Sequence, residues 1–213
     1  LYEGKVAEYK LYCFAQSGNA YKAALMLELC GLDWEPVGVD YFRGETRSAA
    51  WRARVNEMGE VPVLLHGGLS LTQSGVILEY LAERTGLFAP APAQRLEWLR
   101  WLLFDNHKFT ADFAKLRFQT ILGTPDSELA KFMRPRVEDA YGVVDRHLES
   151  RPFLLGDRPT VADISLAGYV YYTEPVGTDL TRFRAVEAWK ERIRALPRWR
   201  GPLDLMPAAP QPG

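Results

Sequence analysis

The sequence predicts an α/β domain followed by an all-α domain. Three observations point there: a strand–helix–strand pattern with a later hairpin in roughly the first ninety positions, a Pro- and Gly-rich break at TGLFAPAPAQ, and helical periodicity alone beyond it. The domains read as residues 9–84 and 94–200.

Tyr9 to Phe14 is a short aromatic and apolar run ending in AQSGN, a string of turn formers, which reads as strand then loop. From Asn19 a dense apolar run of helical length follows, including Ala23, Ala24 and Leu27, with Gly31 placed to close it. WEPVGVD (34–40) then reads as a second strand, and TRSAAWRARVNE (46–57) as a short polar helix with Trp51 and Val55 on one face. In EVPVLLHGGLSLTQS, PVLLH and LSL are strands and the Gly pair is a hairpin turn. From Ser74, the spacing of Val76, Ile77, Tyr80 and Leu81 predicts a helix with those side chains on one face. The order is therefore β-α-β-α-β-β-α.

Past the break, Leu96, Leu99 and Leu103 mark a long helix over 94–121, and Leu129, Phe132, Met133, Val137, Tyr141, Val144 and Leu148 a second over 126–149. TPDSE starts the latter and SRPF stops it. In PTVADISLAGYVYY, Thr160 and Asp163 form a capping box, Pro159 can pack on Ile164, and the apolar run to Tyr171 predicts a helix surrounded by protein. A last helix covers roughly 182–195, and the Pro-rich tail is expected to fray at its final residues.

Composition narrows the function. With 47% hydrophobic and 25% charged residues, six Trp and ten Phe, the 213-residue chain can fill its cores. Its 26 Lys and Arg against 27 Asp and Glu leave no field to hold a polyanion, so nucleic acid is not an expected partner. No apolar run approaches the ~20 residues of a membrane span, and LYEGKVAEYKLY lacks the apolar stretch of a signal peptide, so the expected location is cytoplasmic and away from membranes. Two cysteines, Cys13 and Cys30, make no disulfide framework, and with three scattered histidines no metal site is expected.

Chemistry is expected where loops meet helix starts. AQSGN feeds a helix whose first N–H groups lack partners, and Ser17 and Asn19 can donate there to a thiolate or carboxylate; either can also be the N-cap, a role that suits Asn19 better. Thr72, Gln73 and Ser74 repeat this at a second helix start, where Gln73 and Ser74 suit an α-amino acid head group. Pro62 opens a strand, and a cis Val61–Pro62 bond would present backbone groups to a ligand.

KLYCFAQSGNAYKAALMLELCGL, NEMGEVPVLLHGGLSLTQSGVILEYLAE and RPFLLGDRPTVADISLAGYV together resemble the glutathione transferase superfamily, in its bacterial serine- or asparagine-type branch. The resemblance implies a thioredoxin-like first domain and a helical-bundle second domain, and a homodimer acting in detoxification. Glutathione is the implied cosubstrate, its thiolate attacking a small hydrophobic electrophile. It makes Pro62 the cis-proline, gives the Val61 backbone to the cysteinyl part, and assigns Gln73 and Ser74 to the γ-glutamyl head and Ser17 or Asn19 to the thiolate. Glu60 belongs to the same binding loop but stands where many relatives carry Lys, Gln or Arg; the cation for the glycyl carboxylate must come from elsewhere, with Lys22, Arg47 and His107 as candidates, or be missing.

The loop after the first strand has no cysteine, which disfavours a mixed disulfide with the protein. Phe109, Phe113 and Tyr172 are candidates for an apolar pocket, with bundle core as the competing role. Glutathione-dependent disulfide reduction or peroxidation, and a non-catalytic glutathione-binding or regulatory module, are the alternatives.

Overall fold

The computed structural model describes residues 7–210. The described residues up to Thr85, together with those from Pro197 onward, form one compact unit, and Gly86–Leu196 forms the other. Residues 197–200, read from the sequence as the end of the helical domain, thus group with the first unit.

The first unit is a thioredoxin-like mixed sheet with helices. Its strands are β1 (Tyr9–Cys13), β2 (Trp34–Gly38), β3 (Val63–His66) and β4 (Leu69–Thr72), in spatial order β2-β1-β3-β4. β1 runs parallel to β2 and antiparallel to β3, which pairs antiparallel with β4. The β3–β4 turn is Gly67-Gly68, with φ of 53° and 84°; a two-residue turn matching the strand twist needs left-handed backbone at both positions, which glycine adopts without a steric penalty.

Helix α1 (Gly18–Leu29) follows β1 and is buried along nearly its whole length. The segment read as one polar helix is a 3₁₀ turn (Glu45–Arg47) plus α2 (Ala49–Arg54), where Ser48 Oγ accepts from Trp51 N and caps α2. Trp51 packs with Val39 and Val63, and Val55 lies against that cluster as its spacing implied. In α3 (Ser74–Thr85) the buried face is Ile77, Leu78, Leu81 and Ala82, while Val76 is exposed. The expected face was therefore rotated by about one residue.

Residues 197–210 belong to this unit. After a short helix at Pro202–Leu205, Ala15 N donates to Pro207 O at 2.8 Å, and the Gln16 amide makes a two-way pair with the Ala209 backbone at 3.0 Å in each direction. Tyr21 Oη donates to Arg200 O at 2.7 Å. The fraying expected of the final residues falls on 211–213, outside the described residues, as part of the leader reading does on 1–6.

The second unit is all α: α4 (Arg95–Phe104), α5 (Thr110–Ile121), α6 (Glu128–Leu148), α7 (Val161–Leu166) and α8 (Arg184–Arg194). The single long helix expected over 94–121 is interrupted by a π-helical segment, Asp105–Phe109, where Thr110 N bonds back to Asp105 O. Asp105 is fully enclosed and its Oδ2 accepts from Ser165 Oγ at 2.6 Å. Helix α7 is shorter than expected, yet the residues after it up to Val170 remain buried. Its capping box is present: Thr160 Oγ1 accepts from Ala162 N, and Asp163 Oδ2 accepts from Thr160 N at 2.8 Å.

Asp163 does more than cap. It also accepts from Leu154 N at 2.9 Å and Trp189 Nε1 at 3.0 Å, tying α7, the preceding loop and α8 to one carboxylate. Burial pushes the Asp163 carboxyl above its usual range against the four hydrogen bonds that favour the ion.

The leucines that marked α4 face outward. Leu96, Leu99 and Leu103 are exposed, as are Leu129 and Phe132 of α6, while Trp98 and Trp101 take the core side. Phe109 and Phe113 are bundle core, Phe109 stacked on Tyr141 at 4.8 Å; the competing role therefore holds for both. Tyr172 lies under the Arg117 guanidinium at 3.8 Å. No described helix is long and apolar enough to cross a membrane.

Candidate functional site

Strand register decides which loops share an end of the sheet. Tyr12 pairs with Val63, and Val63 with Thr72, so the loop after β1, the loop before β3 and the turn after β4 all leave from one end. These loops hold Ser17 and Asn19, Glu60–Pro62, and Gln73–Ser74.

At the first loop, Ser17 is extended (φ −90°, ψ 107°) and is the N-cap of α1: its Oγ accepts from Ala20 N at 3.2 Å. The cap therefore goes to Ser17 rather than Asn19. A hydroxyl that accepts from a backbone N–H still has its own proton to donate, and Ser17 is 7% exposed. Asn19 lies in the first turn, and its buried Oδ1 has no hydrogen-bond partner. The three bonds to Pro207 and Ala209 brace this loop immediately before Ser17.

In the second loop the Val61–Pro62 peptide bond is cis. Among the described residues, neither the N–H nor the C=O of Val61 has a hydrogen-bond partner. The approach to this bond is shaped by Asn56, which sequence reasoning missed. Asn56 is buried, its Oδ1 accepts from Met58 N at 3.0 Å, and its Nδ2 donates to Glu60 O at 3.0 Å. Gly59 has φ 71°, and a Cβ there would lie 2.9 Å from Thr46 O and 2.6 Å from the Arg52 guanidinium, so a side chain has no room. An Asn followed three positions later by Gly was the available signal.

At the third loop, Gln73 has φ 65°, rare for a residue with a side chain, and its carbonyl accepts from Ile77 N at 3.1 Å. Gln73, not Ser74, thus holds the position before the first turn of α3. Ser74 is the first residue of α3, 7% exposed, and its hydroxyl has no hydrogen-bond partner among the described residues. Gln73 Nε2 donates to Glu60 Oε2 at 3.0 Å and lies 3.3 Å from Met58 Sδ, joining the second and third loops.

The site so far offers two helix N-termini, free backbone groups at Val61 and two hydroxyls, an arrangement for an extended anionic ligand. Lys22, a candidate cation, is 0% exposed and so closed to an outside ligand; Arg47 and His107 are exposed. Among the described residues no group of His, Cys, Asp and Glu is disposed to hold a metal.

Cys13 lies inside β1, enclosed, with its thiol pushed up to about 12 by burial. Burial also raises Cys30, against a hydrogen bond with Thr85. Thiols held above the usual range carry little thiolate at neutral pH. Iodoacetamide at about pH 8 is therefore expected to leave Cys13 unlabelled in the native protein and to label it after unfolding in urea. Rapid native labelling by mass spectrometry would show this environment to be wrong.

Residues 7–83 match the family described as glutathione S-transferase, N-terminal domain, and residues 117–201 match glutathione S-transferase, C-terminal domain. The chain is similar to the disulfide-bond oxidoreductase YfcG of Escherichia coli, 31% identical with 86% of this chain and 89% of that one covered. It is similar in structure to a glutathione S-transferase from Pseudomonas fluorescens Pf-5, with a TM-score of 0.87 at 34% identity, covering 93% of this chain and 100% of that one. A second solved structure from Pseudomonas fluorescens Pf-5, a glutathione transferase family member with two glutathione bound, aligns with a TM-score of 0.79 at 25% identity over 92% of this chain and 93% of that one.

Proposed function

Because the chain belongs to the glutathione S-transferase family and is an enzyme of it, we propose that it binds reduced glutathione across the three loops and directs its thiolate at a small apolar electrophile. The observation that carries this reading is a set of unused polar groups at one end of one sheet: the Ser74 hydroxyl, the Val61 backbone and the Ser17 proton.

In this reading the γ-glutamyl carboxylate lies at the start of α3, on Ser74 Oγ and the first N–H groups, with Gln73 beside it. The Val61 backbone, presented by Pro62, pairs with the cysteinyl residue. The sulfur comes to the start of α1, where Ser17 Oγ donates a hydrogen bond to it and Asn19, in the first turn, offers its Nδ2 as a second donor. A free cysteine thiol ionises near pH ~8.5, and a hydrogen bond plus a helix N-terminus favour the ion, so its pKa falls toward neutrality. Attack then forms the S–C bond as the electrophile's leaving group departs with the electron pair. This is the serine- or asparagine-type chemistry, with no protein thiol involved.

Titration calorimetry tests it. Reduced glutathione is expected to bind in the micromolar to low-millimolar range, and Ser74→Ala to weaken binding by about 10-fold, the value of one hydrogen bond to a charged group. Binding unaffected by Ser74→Ala would take the γ-glutamyl head away from α3.

Glutathione-dependent disulfide reduction is a second reading, favoured by the similarity to an oxidoreductase and to a structure with two glutathione bound. Bound glutathione thiolate would attack one sulfur of a disulfide and expel the other as thiolate. A second glutathione would then release the first as oxidised glutathione. The buried Cys13 fits a reaction run without protein cysteine. A homodimer and a cytoplasmic setting complete the proposal; the exposed Leu96, Leu99 and Leu103 of α4 are an apolar face suited to a second copy.

A further inference from the structure

The Glu60 carboxylate is exposed and stands beside the start of α3, where its Oε2 accepts from Gln73 Nε2 at 3.0 Å. Among the described residues it has no ion-pair partner, and its Oε1 accepts no hydrogen bond. Its place is fixed from behind: Asn56 Nδ2 holds the Glu60 carbonyl at 3.0 Å, and the cis Val61–Pro62 bond follows directly.

A carboxylate at this spot is at odds with a purely anionic ligand, because it would repel the groups that a helix N-terminus and Ser74 attract. The conflict disappears for an α-amino acid head. There the ammonium nitrogen and the carboxylate carbon sit on one atom, about 2.5 Å apart, so their counter-charges must be neighbours. The N–H groups of α3 suit the carboxylate and oppose the ammonium. Glu60, joined to the residue that opens α3, supplies the missing negative charge. Glutathione carries a single cation, the γ-glutamyl ammonium, so a carboxylate lining its site has one group with which to pair.

We infer that Glu60 is the counter-ion of the γ-glutamyl ammonium and restricts this site to thiols with a free α-amino group at that end. The inference rests on the glutathione reading above.

The test is calorimetry on the full chain and on Glu60→Gln, with glutathione, N-acetylglutathione and the glycyl ethyl ester of glutathione. The glutamine oxygen can still accept from Gln73, and the residue is exposed, so the fold is not at stake. Wild type is expected to bind glutathione about 5-fold more tightly than N-acetylglutathione, the upper value of one ion pair at an exposed site. Glu60→Gln should lose about 5-fold for glutathione and for the ester, and bind the N-acetyl compound as wild type does. Undiminished glutathione affinity in Glu60→Gln, with discrimination against the N-acetyl compound intact, overturns the inference and leaves the glutathione reading standing. Tighter binding of glutathione but not of its ester overturns it too, by placing Glu60 against the glycyl carboxylate. Wild type binding none of the three thiols removes both.

Discussion

Ser17→Ala is expected to lower kcat/KM for glutathione with an apolar electrophile by about 10²-fold at neutral pH, the cost of removing one donor aimed at a developing or resident anion. The wild-type hydroxyl already accepts from Ala20 N, so its proton is directed elsewhere. Without it the thiolate loses a hydrogen bond and the thiol pKa rises. The activity deficit should therefore be largest near neutrality and shrink as pH rises past ~8.5, where the thiol ionises unaided. Ser17→Thr keeps both cap and proton and should recover most of the rate.

The substitution also removes a helix cap, worth about 1 kcal/mol. That loss appears in a melting curve, whereas the alkaline shift of the rate profile belongs to the thiolate alone. Asn19→Ala is expected to show a smaller shift in the same direction. Full turnover in both variants would remove these residues from the mechanism.

Asp163→Ala should be the most damaging single change to the fold. Four donors converge on this fully enclosed carboxylate: Leu154 N, Thr160 N, Thr160 Oγ1 and Trp189 Nε1, at 2.8 to 3.1 Å. Deleting it strands buried N–H groups on separate segments, a loss of about 3–5 kcal/mol. At this chain length that lowers Tm by about 10 °C or more. Asp163→Asn turns one oxygen into an amino group facing donors and should recover only part of the loss. Urea unfolding of both variants measures it; a cost for Asp163→Ala below about 1 kcal/mol would show that the network relaxes around the gap.

Signals read from local chemistry correspond closely to the structure. The Gly67-Gly68 turn, the Thr160–Asp163 box and each strand of the first unit depend on residues within a few positions of one another. Orientation was harder to read. Helical spacing in α4 fits a leucine face and a tryptophan face equally well, and the larger Trp98 and Trp101 took the interior.

The π-helical segment was hidden for a different reason. Its buried Asp105 accepts at Oδ2 from Ser165, sixty positions along the chain, which no local pattern reveals. In the site, two of the three loops were legible as polar helix starts and the third as a Val-Pro strand start, but the division of labour within them was not. Whether Ser17 or Asn19 caps α1, and that Gln73 rather than Ser74 precedes α3, depends on backbone angles at single residues.

The bonds from Ala15 and Gln16 to Pro207 and Ala209 also set an order of events. On the ribosome, the loop bearing Ser17 emerges well before its brace, which lies 193 positions further along between Gln16 and Ala209. The whole helical unit must be made in between, and closing so long a loop carries an entropic cost that is repaid late. A nascent chain can thus complete its sheet well before the start of α1 is held in place. Translation stopped a few codons short of Pro207 would yield a protein with both units present and its Ser17 loop unbraced.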